Sequence, residues 1–572
     1  MQRTSNHPYG QKPACKLIVR GAVLSVVFGV SFCMPGQAQQ SRDGGGSNAW
    51  QITPRISVGA IYSDNIKLAP ANAAEDDLVL DVEPGISIRK RGGRLDLRLD
   101  YTAQGLLYAN HSDANTVNHQ LQGFGSAEIF QKHFFLDAYS AISQVSATSS
   151  GRTGSPASLA FLSNLDLGLP GVPGLFQSFG TSDEIALTDN QTTGYRYGIS
   201  PYWRQDIGGW VEGLLRYRYD GVRYGDQNKV TTTQGEQQTV NADSQVNTLT
   251  LDLNSGRRFN ILNWNIGYFY QRQQLDNVTD SNVTANGEDR RERLDARITY
   301  RLSQYWALLA NAGYEDSQVT GFENARDGSY WGLGAIWTPN RFLEVGGLYG
   351  PDVNLIALRW NPSTRTSLDV RRRDRNVGVE SGVHWQGTFK HQARASTWSV
   401  TYLDEVTNEQ QLLGSSLLAV GADGQPLALE EQGQSISAEG PFGLTNRNFR
   451  RKRLDAGVVY RRGPTGISVN AFSEERQTQD AKSIESTYGA GALWTWRFAP
   501  QVASFIGGGW EHDDLGEEAQ RNDYWVSIVG LAQAFTPNFG GLISYRYYQN
   551  DAGSAEQEFR ENRLNVRFNM KF

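Results

Sequence analysis

The chain has 572 residues, among them 61 Gly, 14 Trp, 25 Tyr and 24 Phe, with only 2 Cys and 3 Met, and its formal net charge is −6. That sign does not suggest a nucleic-acid partner, the aromatic load is too high for a solvated coil, and past residue 40 no run approaches the roughly 18 apolar residues of a spanning helix. What remains is a large Gly- and aromatic-rich β protein, a composition that suits a transmembrane barrel better than a soluble sandwich.

The N-terminus comes first. Arg3, Lys12, Lys16 and Arg20 form a basic region, Gly21 to Met34 an apolar core, and Pro35-Gly36-Gln37-Ala38 a small-residue cleavage site. Residues 1–38 therefore read as a cleaved Sec-type signal peptide. An anchor reading fails because the core is shorter than a bilayer span. Cys33 does not fit lipidation, since Phe32 is too bulky a neighbour. Cleavage removes both cysteines, Cys15 and Cys33, and four positive charges, taking the net from −6 to −10. The mature chain then has no disulfide and no thiolate chemistry. Residues 39–48, with Gly44-Gly45-Gly46, read as a flexible lead-in, and 49–572 as a single domain.

From there the pattern has period two, so alternate residues face opposite sides of a strand. Leu95, Leu97, Leu99 and Tyr101 alternate with Arg94, Asp96, Arg98 and Asp100. Leu294, Ala296, Ile298, Tyr300 and Leu302 alternate with Arg293, Asp295, Arg297, Thr299 and Arg301. Leu454, Ala456, Val458 and Tyr460 oppose Arg453, Asp455 and Arg461, with Val459 an exception on the polar face. At the end Leu564, Val566, Phe568, Met570 and Phe572 alternate with Arg563, Asn565, Arg567, Asn569 and Lys571. Such a series closes into a barrel, apolar towards lipid and charged towards the lumen. The terminal Phe572 resembles the C-terminal signal by which outer-membrane barrels are recognised for assembly.

Turns are expected at Lys90 to Gly93, Gln131 to His133, Asp206 to Gly209, Gly256 to Asn260, Ser303-Gln304 and Thr338 to Asn340. Further turns are expected at Asn361 to Thr364, Lys390 to Gln392, Arg462 to Thr465, Ala499 to Gln501 and Thr536 to Asn538. These place the fold class as all-β, one antiparallel transmembrane barrel of about 24 strands (about 22–26), with short periplasmic turns. Long extracellular loops are expected at Asp64 to Asp77, Thr148 to Asn190, Val222 to Asp243, Asp276 to Asp289 and Val406 to Asn448. No residues are left over for a plug domain or a repeat module.

Ile52-Thr53-Pro54-Arg55-Ile56-Ser57-Val58-Gly59, Tyr62-Ser63-Asp64-Asn65-Ile66, Trp337-Thr338-Pro339-Asn340 and Thr397-Trp398-Ser399-Val400-Thr401-Tyr402 carry a family likeness. On these segments the chain resembles the outer-membrane β-barrel proteins associated with exosortase (PEP-CTERM) systems and exopolysaccharide loci. The Arg-rich block Asp369 to Asn376 departs from that pattern. The resemblance implies location in the Gram-negative outer membrane and a polysaccharide context rather than a mechanism.

Catalytic chemistry is not expected. His7, His111, His119, His133, His384, His391 and His512 lack metal-ligand spacing and read as surface or turn residues. Glu474-Glu475, Asp513-Asp514 and Glu517-Glu518 read as acids of outer loops, for solvation or cation bridging to lipopolysaccharide. No cofactor or metal is implied, and Gly507-Gly508-Gly509 opens no helix and so cradles no phosphate. The alternation places Arg94, Arg98, Arg216, Arg218, Arg293, Arg297, Arg301, Arg359, Arg371, Arg373, Arg453, Arg461, Arg563 and Arg567 in the lumen. Asp96, Asp100, Glu212, Asp252, Asp295, Asp369 and Asp455 share those faces, so Arg outnumbers acid two to one. Two readings stay open: a salt-bridged ladder that stiffens the wall, or a cationic path for an anionic or hydroxyl-rich solute. Expected partners are lipid and lipopolysaccharide, the barrel-assembly machinery, a polysaccharide and periplasmic export components, with no nucleic acid. The function expected is a channel linked to exopolysaccharide export. The alternatives are a non-conducting scaffold or polymer anchor, and a barrel-embedded hydrolase or acyltransferase. Apolar segments in two long loops, Leu167 to Leu175 and Leu417 to Val420, pack either into the lumen or on a partner.

Overall fold

The computed structural model describes residues 50–146, 186–187, 191–225, 229–231, 237–239, 243–280, 283–319, 326–408, 448–477, 484–515, 521–555 and 557–572. The expected signal peptide, the lead-in, His7, Glu517-Glu518 and the apolar segments of the two longest loops lie outside the described residues.

The first seven strands are β1 (Trp50–Ser63), β2 (Asp77–Lys90), β3 (Leu95–Tyr108), β4 (Thr116–Phe130), β5 (Phe134–Ser146), β6 (Gln191–Ile207) and β7 (Val211–Tyr224). A small hairpin, β8 (Lys229–Thr231) with β9 (Gln237–Thr239), precedes β10 (Ser244–Ser255), β11 (Leu262–Asp280), β12 (Val283–Arg301), β13 (Trp306–Gln318) and β14 (Gly328–Asn340). Shorter strands follow: β15 (Leu343–Tyr349), β16 (Val353–Ser363), β17 (Thr366–Arg375), β18 (Gly382–Gln392) and β19 (Ser396–Thr407). The last seven are β20 (Phe449–Arg462), β21 (Thr465–Gln477), β22 (Glu485–Ala499), β23 (Val502–Asp514), β24 (Arg521–Thr536), β25 (Phe539–Ala552) and β26 (Phe559–Lys571).

All but β8 and β9 belong to one 24-stranded antiparallel sheet of chain neighbours. Its two ends meet where β1 pairs with β26, from Arg55↔Lys571 to Ser63↔Arg563. Closure leaves no edge strand to template aggregation.

Contacts that skip strands identify the interior face, because only the inside of a barrel lets non-neighbours meet. Arg375 of β17 reaches Glu315 of β13 at 3.0 Å, and Asn408 beyond β19 reaches Gln273 of β11 at 2.8 Å. Register then carries that face around the wall. The opposite face is apolar and open: Leu294, Ile298 and Tyr300 of β12 are all exposed, as are Leu564, Phe568 and Met570 of β26. Aromatics gather on it at two levels. Trp331 and Trp337 of β14, like Tyr488 and Trp494 of β22, stand six residues apart, about 20 Å at strand rise. That approaches the height of an apolar band between aromatic girdles.

Glycine has a specific task on this wall. In the row Arg567↔Gly59↔Asp81, Arg567 crosses over Gly59 to the second strand. A Cβ at Gly59 would make only ordinary contact with Arg567, whereas one at Gly198 would run into the Tyr139 ring. Tyr139↔Gly198↔Asp220 repeats the device, with the Tyr139 hydroxyl donating to Asp220.

Three expected turns sit a few residues early. Thr338–Asn340, Asn361–Ser363 and Lys390–Gln392 still belong to β14, β16 and β18. In the first two the register shifts between Trp337 and Asn340 and between Trp360 and Ser363. Pro339 and Pro362 occupy those irregularities, where a residue without an N–H is tolerated. The expected loop Asp276 to Asp289 is instead mostly strand, because β11 runs to Asp280 and β12 starts at Val283. A hairpin that projects past an apolar band needs no apolar face, so its polar composition imitates a loop.

Candidate functional site

The interior divides into two ends, and each is built differently. At the loop end, the connection 64–76 folds back onto the wall. Ser63 Oγ donates to Glu561 at 2.6 Å, Asp64 accepts from the Asn562 amide at 2.7 Å, and Asn65 Nδ2 donates to the Ala69 and Arg560 carbonyls. These bonds tie the end of β1 to β26 at the seam where the barrel closes. Ile66 then packs with Ile61, Val79, Leu106 and Tyr108, while Leu68 packs against Tyr524, Val526, Tyr548 and Phe559. An apolar residue in a loop is explained here by an apolar patch on the interior wall. His111, on the next connection, takes Asp77 on Nδ1 and Glu75 on Nε2, both at 2.7 Å. Those hydrogen bonds, Asp77 first, hold its pKa above the ordinary histidine value.

The same end is cross-braced by buried ion pairs. Glu474 is nearly inaccessible and receives Arg451, Arg453 and Arg476 at 2.7–2.8 Å. Glu561 receives Arg563 at 2.7 Å and Arg546 at 3.3 Å. Arg567 bridges Asp81 and Glu83. Glu315 holds Arg375 and Arg291, and Arg373 pairs with Glu380 on the connection 376–381. Burial raises the Glu380 carboxyl, but Arg373 and Arg291 outweigh it and hold the group below its usual value. That connection also buries Val377 and Val379. Beside it lies a small pocket, open to solvent and lined by Gln271, Gln273, Asp289, Arg291, Val379 and Asn448 among others.

These groups correct several expectations. The interior does not carry twice as many Arg as acids, because Asp81, Glu83, Asp137, Glu315, Glu474, Glu511, Asp513 and Glu561 are buried residues of the strands. Glu474-Glu475 and Asp513-Asp514 lie in β21 and β23 rather than in outer loops. Buried arginines neutralise Glu474, while Glu475 pairs with Lys452, Asp514 with Arg521, and Asp513 accepts from Thr487. His384 is likewise buried in β18 and not at the surface. Its Nδ1 lies 3.2 Å from Asp404 and its Nε2 3.3 Å from the Ser381 carbonyl, so no hydroxyl nucleophile occupies the second nitrogen.

The fourteen arginines singled out by alternation separate into groups. Arg216 pairs with Asp137, Arg218 with Asp220, Arg293 with Asp295 and Arg453 with Asp455 as well as Glu474. Arg359 contacts Glu344 and Asp369, and Arg371 also contacts Asp369. Arg373, Arg563 and Arg567 belong to the buried braces above. Arg94 is not on a strand; it sits in the turn 91–94, because β3 begins at Leu95. Arg461 stands exposed near the turn end of β20. Arg98, Arg297 and Arg301 form no ion pair among the described residues, and Arg297 and Arg301 are exposed.

Those last residues lie towards the turn end, where Arg55 and Arg89, which the sequence reading did not place in the lumen, join them together with Lys571 of the last polar face. Arg55 stands directly opposite Lys571 across β1 and β26, and Arg89 directly opposite Arg98 across β2 and β3. Alternation through Asp81, Glu83, Ser87 and Arg89 was the available signal for β2. The assignment of Arg55 and Lys571 to one row needed the closure register. Phe572 is exposed beside them, its amide donating to the Pro54 carbonyl at 3.0 Å. Among the described residues no group of three or more His, Cys, Asp or Glu is placed to hold a metal ion.

No family model matches the chain, and no curated protein does either. Among solved structures it is similar to a ferric enterobactin receptor variant, PfeA, from Pseudomonas aeruginosa, at 10% identity and TM-score 0.45, over 91% of this chain and 80% of that one. It is also similar to the FrpB iron transporter from Neisseria meningitidis, at 9% identity and TM-score 0.43, over 92% and 83% of the two chains. The siderophore receptor PirA from Acinetobacter baumannii gives 10% identity and TM-score 0.44, over 91% and 80%. Likeness of this degree brings no function with it.

Proposed function

We propose that this protein is an outer-membrane barrel that conducts an anionic or hydroxyl-rich solute, as part of an exopolysaccharide export apparatus of the exosortase-associated kind. The chain reaches that membrane through the Sec pathway, with turns and both ends of the barrel in the periplasm. The observation that carries the reading is the exposed set Arg297 and Arg301, with Arg98, on the interior wall and without carboxylate partners. Rings of Arg select anions in pores, and Arg keeps its charge at any physiological pH. A wall that needed only stiffening would neutralise these groups, as the loop end does. The family likeness supplies the polysaccharide context, and its segment Tyr62 to Ile66 coincides with the closure seam. Nothing in this reading requires enzymatic chemistry.

The inward-packed connections 64–76 and 376–381 favour a second reading, a narrowed barrel that scaffolds a secretion complex without conducting. Planar-bilayer recording separates the two. A conduit gives steady conductance whose reversal potential in a salt gradient lies on the anion side. Silence that persists after removal of 409–447 supports the scaffold. Fractionation must also recover the protein in the outer membrane, heat-modifiable on gels; recovery as a soluble periplasmic protein overturns both.

A further inference from the structure

The turn end holds an arrangement that stability alone does not explain. Arg89 and Arg98 are direct cross-strand partners, and so are Arg55 and Lys571. Like charges placed directly opposite destabilise a sheet. The two carboxylates on this face do not relieve Arg89 and Arg98. Asp100 accepts from Ser87 Oγ and lies 3.5 Å from Arg55, and Asp96 makes no ion pair with either arginine. Arg55 is held in its own row by a 2.7 Å bond from its Nη2 to Thr102, across Gly85. Arg89 and Arg98 are therefore opposed cations without a carboxylate partner among the described residues, on a wall exposed at Arg89. The mouth below adds to the field: the eleven turns contain eight Lys or Arg and no Asp or Glu. Low-dielectric walls focus such a potential and raise the local concentration of anions.

We infer that Arg55, Arg89, Arg98 and Lys571 form a capture site for a carboxylate-bearing polysaccharide entering from the turn side. The inference rests on the conduit reading for the polymeric nature of its ligand. Geometry also favours a chain over a single ion. Arg55 faces Gly85, four residues from Arg89, so the two cationic rows are separated by about 13 Å along the wall. A ligand with repeated charges engages both rows, and the second contact is then intramolecular. Guanidinium groups accept carboxylates in bidentate fashion.

Titration calorimetry on the refolded full-length barrel in detergent tests this. The probes are an oligogalacturonate, a neutral oligosaccharide of equal length, and inorganic phosphate. The oligogalacturonate is expected to bind, more weakly as salt rises, and the neutral oligomer not to bind. Arg89→Gln with Arg98→Gln should weaken binding at least tenfold, whereas Arg89→Lys with Arg98→Lys should retain most of it. The Gln pair should also melt no lower than the parent, because it removes opposed like charges. Unchanged binding in the Gln pair overturns the site, as does equal binding of the neutral oligomer. Full competition by equimolar phosphate overturns the two-row, polymeric ligand. A melting temperature lowered in the Gln pair marks the arginines as structural and also overturns the proposal. Conductance distinguishes the underlying reading: binding without any conductance removes the conduit and leaves the site, while anion selectivity unaltered by the Gln pair, with no binding, does the reverse.

Discussion

The two ends of this barrel handle charge in opposite ways. At the loop end, the described connections carry nine Asp or Glu against two Lys or Arg, and the wall beneath them pairs nearly every charge it buries. At the turn end, eight basic residues occupy the turns without one acid, and Arg89 faces Arg98 without the carboxylate that the opposed pair Arg546 and Arg563 shares at the loop end. The contrast teaches where stability and function are separated. A buried carboxylate without partners is costly, so Glu474 exists only because three arginines converge on it. An exposed arginine in a wet lumen costs little, so Arg301 needs no partner.

That contrast can be broken most forcefully at Glu474. Glu474→Gln leaves Arg451, Arg453 and Arg476 buried around a neutral group, which is expected to cost about 3–5 kcal/mol, read as a lowered denaturant midpoint. A loss below about 1 kcal/mol, the worth of an exposed pair, would show that the loop end is wet and the contrast false. Next in size is Ile298→Arg on the outward face of β12, expected to cost about 2–4 kcal/mol if that position lies near the bilayer midplane. Harmless insertion of this variant into vesicles would reverse the assignment of faces.

The turn end should respond in function rather than stability. Arg297→Glu with Arg301→Glu is expected to shift stability by no more than about 0.5 kcal/mol, while reversing or weakening anion preference in bilayer recordings. Unchanged selectivity would reduce these arginines to wall residues. The smallest effect concerns His111. Its pKa is raised in the folded state by Asp77 and Glu75. The stabilisation it gives the connection is therefore complete below the free-histidine value of about 6.5 and lost as pH rises through the raised value. Hydrogen-exchange protection in residues 109–115, corrected for the intrinsic rise of exchange with pH, should fall across that window in the parent but not in His111→Gln, and identical protection profiles would discount the clip.

Much of this was legible in the amino-acid order. Strict alternation along 293–302 and 563–572 specifies strands with one apolar face, and short turn segments give the strand number, because these signals act between residues adjacent in the chain. Turns containing Pro339 and Pro362 were placed early because a proline reads as a stop, whereas near a strand end it is absorbed by a bulge. The polar hairpin at Asp276 to Asp289 failed for a related reason: polarity reports exposure, not irregular backbone.

The sequence by itself determined most of the strands and their two faces, since period and composition are local properties. Only the tertiary structure decided which charges meet. Asp81 and Arg567 are 486 residues apart, yet closure of β1 on β26 sets them together across Gly59. Closure equally sets Arg55 against Lys571. Pairing between distant strands depends on register around the whole ring, and no local pattern encodes that register. For this reason the arginine alternation pointed to a uniformly cationic lumen, where the folded barrel has a neutralised loop end and a cationic turn end.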